Sequence, residues 1–258
     1  MIALVTGASS GIGAATARRL AREPGALLVL VARREERLRA LADELGGATV
    51  LAHDLTAEDA PETIARAVER EHGRLDLLVN NAGAAWPGTF EQGGTANLRQ
   101  TFELNLFAQT RLTEALLPLL TASAPSAIVN VVSTSGRIAR RASGAYSASK
   151  FAMIGWSDAL HLELRPHGIH VGIVNPGFVV TEGFPQRDVL ASRALRWTIS
   201  SPEKVAEAVV DTWRHERAER YAPRPYVLAA AARLLLPGLT RRVLAAGGAA
   251  LSTRGEEG

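Results

Sequence analysis

Tyr146 and Lys150 stand four residues apart in the stretch YSASK, and Ser133 lies thirteen residues before the tyrosine. At that spacing a tyrosine and a lysine share one face of a helix. A phenol ordinarily loses its proton near pKa ~10, so working as a base near neutrality takes a shift of about three units, roughly 4 kcal/mol. An ammonium about 4 Å away, at an effective dielectric of 20, supplies energy of that order. A serine hydroxyl brought in from another element could hold a substrate oxygen beside the phenol. The chemistry these three side chains suggest is proton transfer to or from an alcohol or carbonyl oxygen. The YxxxK spacing is common, and it gains weight only from the elements around it.

Those elements read as strand, turn and helix, repeated. Ile2 to Val5 is a short apolar run, followed by TGASSGIG from Thr6 to Gly13 and then a helical pattern, ATARRLARE. A glycine-rich turn between strand and helix lets backbone N–H groups approach a phosphate. The spacing Gly7, Gly11, Gly13 differs from the usual GxGxxG. Ala26 to Ala32 is a continuous apolar run that suits a strand buried on both faces, and Arg33 and Arg34 follow it. At this place in dinucleotide folds an acid binds the ribose 2′-hydroxyl, while an arginine accommodates a 2′-phosphate. No acid appears until Glu35, so no carboxylate is expected to compete there.

The pattern predicts a helix over 35–45, a strand over 48–52 closing in His53-Asp54-Leu55, and a helix from an N-cap at Thr56 to about His72. A strand over 75–79 ends in Asn80-Asn81-Ala82-Gly83. Residues 84–94 read as loop and 95–121 as one long helix, which Pro118 bends or ends. Asn105 is the polar member of that helix's apolar stripe. A strand over 127–132 delivers Ser133, a helix runs from Ser143-Gly144 to about Pro166, and a strand over 169–174 ends in Asn175-Pro176-Gly177. A last short strand is expected near Glu219 to Ala222. The alternation predicts one α/β domain of Rossmann type, a doubly wound parallel sheet, over 1–225. The marked residues all follow strand ends, which lie along one edge of such a sheet.

The 258 residues are 47% hydrophobic, enough for a large core, and include no cysteine, which excludes disulfides and thiolate chemistry. Net charge is +3, and Lys150 and Lys204 are the only lysines. The arginines are interspersed with acids, as in RREERLRALADE, so they read as solvated helix faces and not as a nucleic-acid surface. His53 and His72 are isolated, and no metal cluster is expected. The start, MIALVTG, has no secretory pattern, which suggests the cytoplasm.

On TGASSGIG, Asp54-Leu55, NNAG at 80–83, Asn105, Ser133, YSASK at 146–150 and PGFVVT at 176–181, the chain resembles the short-chain dehydrogenase/reductase family over roughly residues 2–225. The resemblance implies an oxidoreductase that moves a hydride between a nicotinamide and a carbonyl or secondary alcohol. It makes Tyr146 the general acid/base, Ser133 the residue that orients the substrate oxygen, and Lys150 both the lysine that lowers the tyrosine pKa and the holder of the nicotinamide ribose. Asn105 would support a water in a proton relay. The cofactor would lie on Gly7, Ser9, Ser10, Gly11, Ile12 and Gly13, with Asp54 and Leu55 at the adenine. Asn81, Ala82 and Gly83, together with Tyr146 and Lys150, would continue the site, and Pro176, Gly177, Val179 and Thr181 would close it at the nicotinamide. Ser10 stands where some phosphorylated-cofactor users place a basic residue, so the expectation of NADP(H) rests on Arg33 and Arg34.

Two other classes fit parts of this pattern. A cofactor-sensing module on the same fold would not need Asn105, Ser133, Tyr146 and Lys150 together. A nucleotide-sugar epimerase would need a larger C-terminal domain than the chain offers. The expected substrate loop, 182–200, carries Phe184, Val189, Leu190, Leu195 and Trp197 with Arg187, Arg193 and Arg196, which suggests an apolar ketone or alcohol. Residues 226–258 form an apolar, basic tail, too interrupted for a spanning helix. Subunit contact in a homodimer or homotetramer, or a cover for the pocket, is expected of it ahead of contact with a membrane surface.

Overall fold

The computed structural model describes residues 1–182 and 199–252, the last six of these by backbone alone. Seven strands form the central sheet: β1 (Ile2–Thr6), β2 (Leu27–Ala32), β3 (Thr49–Ala52), β4 (Leu77–Asn80), β5 (Ser126–Val131), β6 (Ile169–Pro176) and β9 (Glu219–Ala222). Their order is β3-β2-β1-β4-β5-β6-β9, and every pairing is parallel. The chain winds outward from β1 to one edge, returns to β4, and then winds to the other edge. The direction therefore reverses between β1 and β4, where open α/β sheets bind their ligands.

Helices cover both faces. On one side lie α1 (Gly11–Leu20), α2 (Glu35–Glu44) and α7 (Pro202–Arg214), whose Ala17, Leu20, Leu38, Leu41, Val205 and Val209 pack with Val5, Leu30 and Val129 of the sheet. On the other side lie α3 (Ala60–His72) and α5 (Ala108–Ala122), with Ile64, Val68, Leu112 and Leu116 against Leu4, Val29, Leu78 and Ile128. The alternation of strand residues between the two clusters is the two-residue period of a strand buried on both faces. Helix α6 (Gly144–Leu164) adds a small third cluster, in which Met153 and Ile154 meet Val132 and Ile173.

Several local expectations are corrected. Thr56 does not cap α3: it is tied to Asp54 in a turn of its own, and Asp59 holds the N-cap position without a side-chain capping bond. The expected single helix over 95–121 has three parts. It begins earlier, as α4 (Phe90–Phe102), behind Thr89, whose backbone N–H donates to the Gln92 side chain, and it contains a break at Gly94. A π-helical turn, Glu103–Phe107, joins it to α5. Pro118 does not end α5, which runs to Ala122. Of the expected substrate loop, only Glu182, Ile199 and Ser200 are described. Ile199–Ser200 (β8) pairs in parallel with Phe178–Val179 (β7), and Phe184, Arg187, Val189, Leu190, Arg193, Leu195, Arg196 and Trp197 lie outside the described residues.

The tail forms α8 (Tyr226–Leu235) and α9 (Pro237–Ser252). Ala230 is buried, while Leu228, Leu234, Leu235, Leu239 and Val243 stand exposed. Among the described residues, no helix is long and apolar enough to cross a membrane.

Candidate active site

A cavity of about 560 Å³ opens at the C-terminal edge of the sheet, over the reversal between β1 and β4. The turn after β1 forms its floor. Gly7 has φ +65, a conformation that suits glycine, and a Cβ on Gly13 would overlap the Gly7 carbonyl oxygen. Gly13 therefore lets α1 start close against the turn and does not itself face the cavity. Ser9, Ser10, Gly11 and Ile12 do line it. The first turn of α1 has no acidic residue, and its N-cap, Ser10, makes no side-chain capping bond. Free N–H groups and the positive end of the helix dipole there face the cavity, which suits a diphosphate. By contrast, α2 begins with Glu35 and Glu36, and α7 is capped by Ser201.

Asn81 ties the two turns at the reversal together. Its amide donates to the Thr6 carbonyl at 2.8 Å, and the Asn81 and Ala82 backbone N–H groups both donate to the Thr6 hydroxyl at 2.9 Å. Gly83 lines the wall beyond them. The nucleoside end is formed by Arg33, Arg34, Asp54 and Leu55. Asp54 accepts from the Thr56 N–H and hydroxyl at 3.0 and 2.8 Å, and these bonds hold its pKa below the usual carboxylate value. The expectation that no carboxylate competes for Arg33 is corrected: Asp54 lies 3.8 Å from it, in an exposed pair. Arg34 turns toward the phosphate turn, donating to Ser10 at 2.7 Å and to Ser9 at 3.1 Å, and it approaches Glu182 at 3.4 Å. Arg37, which the sequence did not mark, also pairs with Glu182.

Ser133, Tyr146 and Lys150 come together at the other end. β5 delivers Ser133, whose hydroxyl accepts from the Ser135 N–H at 3.0 Å. Helix α6 presents Tyr146 and Lys150 on one face, and all three residues line the cavity. Burial pushes the Tyr146 phenol up, while a hydrogen bond with Ser133 and the charge of Arg140 pull it down. The Lys150 ammonium lies over the tyrosine ring, 5.7 Å from its centre, and burial lowers the lysine itself to about 8. Among the described residues, Lys150 donates to the Val131 carbonyl, at 3.5 Å.

Asn105 does not line the cavity. It is fully buried in the π-helical turn, where it accepts from the Ala84 N–H and donates to the Ala84 carbonyl, both at 2.9 Å, and donates to Ser149 at 3.1 Å. It holds the segment that leaves Gly83 against α6. Pro176, Gly177, Val179 and Thr181 form the wall opposite Tyr146, and the Tyr226 ring of α8 lies against Gly177.

Sequence reasoning missed a buried polar ladder under the site. Asn80 donates to Asn130 at 2.9 Å and to Thr113 at 3.0 Å, and Asn130 donates to Ser157 of α6 at 2.8 Å. Its signal was present, since an asparagine at the end of each apolar strand is costly unless paired. Arg140, Trp86 and Phe178 also line the cavity, and no spacing announced them. Among the described residues, no group of acids and histidines could hold a metal ion.

A family model described as short chain dehydrogenase matches residues 1–188. The chain is 33% identical over 220 residues to the ketoacyl reductase HetN of Nostoc sp., covering 84% of this chain and 76% of that protein. It is 31% identical over 214 residues to an uncharacterized oxidoreductase of Staphylococcus epidermidis, covering 79% and 93%. Dehydrogenase/reductase SDR family member 7B of Xenopus laevis is 34% identical over 190 residues, and the match spans 58% of that protein. The crystal structure of a short-chain dehydrogenase from Streptomyces avermitilis superposes with a TM-score of 0.79 at 31% identity, covering 100% of this chain and 98% of the other. Together with a parallel, doubly wound sheet that opens a nucleotide-sized cavity at its reversal, these likenesses show that the chain belongs to the short-chain dehydrogenase/reductase family of oxidoreductases.

Proposed function

We propose that the protein is an NADP(H)-dependent oxidoreductase acting on a carbonyl or secondary alcohol carried on an apolar body, with Tyr146 as general acid/base. The observation that carries this reading is the meeting of Ser133, Tyr146 and Lys150 at one end of a cavity whose other end is an uncapped helix N-terminus. When bound, the nicotinamide supplies or accepts the hydride. The protein's own residues do the rest. Ser133 holds the substrate oxygen beside the phenol, and Tyr146 gives its proton to that oxygen in reduction or takes it in oxidation. Lys150 offers ammonium donors to a ribose, and its buried charge favours the tyrosinate through space. Asn105 keeps the adjoining strand in place through Ala84 and so supports a proton path. Trp86, Leu104 and Phe178 give the reaction end of the cavity apolar walls.

Arg33 and Arg34 support the choice of NADP(H), since both line the nucleoside end and Arg34 already reaches Ser9 and Ser10. The exposed leucines of α8 and α9 support a homodimer or homotetramer. The test is oxidation of NADPH and of NADH with a panel of ketones. Turnover of a ketone that disappears in Tyr146→Phe supports the reading. Cofactor binding without turnover of any ketone or alcohol would favour a sensor instead.

A further inference from the structure

Arg140 stands in the irregular segment between Ser135 and Ser143, at the reaction end of the cavity. Its guanidinium lies 4.5 Å from the centre of the Phe178 ring, and it donates to the Ser135 hydroxyl at 3.5 Å. Its side chain is exposed, but into the cavity, where desolvation pulls its pKa down and where the hydroxyls of Tyr226 and Tyr146 are near enough to raise it. The other two arginines lining the cavity face carboxylates, Arg33 at Asp54 and Arg34 at Glu182. Close by, Arg137 pairs with Glu219 and Arg111 with Glu103. Among the described residues, Arg140 has no carboxylate within ion-pair distance.

Arg140 is exposed to the cavity, so an anion that enters the cavity can meet it directly. The contact with Phe178 positions the guanidinium and leaves its charge unneutralised. A guanidinium is a planar fork of donors matched to a carboxylate, and this one lies over an aromatic ring and lines the cavity.

Resting on the reading of Tyr146 as the proton donor, we infer that Arg140 binds a carboxylate of the substrate, so that the substrate is an oxo acid or hydroxy acid with an apolar body. The carboxylate sits on Arg140 and Ser135, the reacting oxygen on Ser133 and Tyr146, and the apolar body against Trp86 and Leu104. In reduction the carbonyl carbon receives the hydride and its oxygen receives the Tyr146 proton. The carboxylate keeps its charge and its bonds throughout.

The experiment compares 2-oxo-4-phenylbutyrate with its ethyl ester, using NADPH, in wild type, Arg140→Lys and Arg140→Gln. Thermal shift with 4-phenylbutyrate, which has the carboxylate but no carbonyl, is read on the same three proteins. Wild type should prefer the acid by about tenfold to a hundredfold in kcat/KM, the range of a hydrogen bond to a charged group. Arg140→Gln should lose that preference, chiefly through a raised KM for the acid, and Arg140→Lys should recover part of it. 4-Phenylbutyrate should raise the melting temperature of wild type and not of Arg140→Gln. A wild type that favours the ester overturns the inference. So does an Arg140→Gln that slows both substrates equally with a displaced pH profile, since the arginine would then act on the tyrosine. If neither substrate turns over but 4-phenylbutyrate still stabilises wild type and not Arg140→Gln, the carboxylate site stands and the reading of Tyr146 falls.

Discussion

The two ends of the cavity are built differently. At the phosphate end the backbone is the binding surface. Gly7, Gly11 and the start of α1 are fixed by close packing, and Asn81 and Thr6 bind the two central turns to each other. At the reaction end the surface is side chains from distant segments: Trp86 from the loop before α4, Ser133 from the end of β5, Arg140 from an irregular stretch, Tyr146 and Lys150 from α6, and Phe178 after β6. A diphosphate is a constant ligand that hydrogen bonds from a fixed backbone can recognise. A substrate varies between relatives, and side chains on separate segments can change without disturbing the sheet.

The sharpest way to break this division is Tyr146→Phe. If the two ends are independent, turnover falls by about a hundredfold to ten-thousandfold, the usual worth of a general acid/base. Cofactor affinity, measured by titration, should stay within about threefold. Retention of more than about a tenth of the rate removes Tyr146 from the proton-transfer step.

Lys150→Met probes what the reaction end costs the fold. Burial holds the Lys150 pKa at about 8 against an ordinary value of 10.5. The unfolded chain therefore binds more protons than the folded one between those values, and folding stability rises with pH from about 8 to 10.5. Below 8 the folded protein carries a buried ammonium at a penalty of about 3 kcal/mol. Lys150→Met should be inactive and more stable than wild type at pH 7, by up to that amount, and its advantage should shrink as the pH approaches 10.5. Equal urea midpoints at pH 7 would show that the lysine is not a stored cost.

Arg33→Ala tests the nucleoside end, beyond the phosphate turn, where a side chain and not the backbone meets the ligand. A hydrogen bond to a charged group contributes roughly 1.5–3 kcal/mol. Asp54 competes for Arg33 from 3.8 Å, so the low side applies, about a tenfold loss in kcat/KM for NADPH. NADH kinetics should hardly change, and the difference should narrow as salt rises, because the pair is exposed. Equal loss of both cofactors would reassign the preference to Arg34.

The smallest expected effect concerns the tail. Deleting Pro237–Gly258 leaves Tyr226 against Gly177 and removes the exposed Leu239 and Val243. Light scattering should show a smaller assembly, with turnover per chain altered by only a few fold. An unchanged assembly would direct attention to membrane contact, which flotation of the full chain with liposomes reads directly.

The same division explains what could be read from the sequence. The continuous apolar run at 26–32 marked a buried parallel strand, and TGASSGIG marked the phosphate turn, because backbone geometry restricts residue type there. Ser133, Tyr146 and Lys150 were legible as a set, since their chemistry needs those side chains. Arg140 was not, because an arginine beside another arginine in a loop carries no period and no motif, and its meaning comes from Phe178 thirty-eight residues away. The break of the long helix was hidden for a similar reason. Apolar spacing cannot register one additional residue in a turn that still buries its stripe.

That additional residue gives the turn at Glu103–Phe107 an evolutionary property. A π-helical turn is what one inserted residue makes of an α-helix, so losing one codon here would return the backbone to ordinary pitch and leave α4 and α5 aligned as before. Elsewhere in a helix the same loss rotates everything beyond it by about 100°. At this place a frame-preserving deletion would cost little folding, yet it would withdraw Asn105 from Ala84 and Ser149. A lineage of this fold thus has a one-step path to a sound scaffold in which Asn105 no longer ties Ala84 to Ser149, and one step back again.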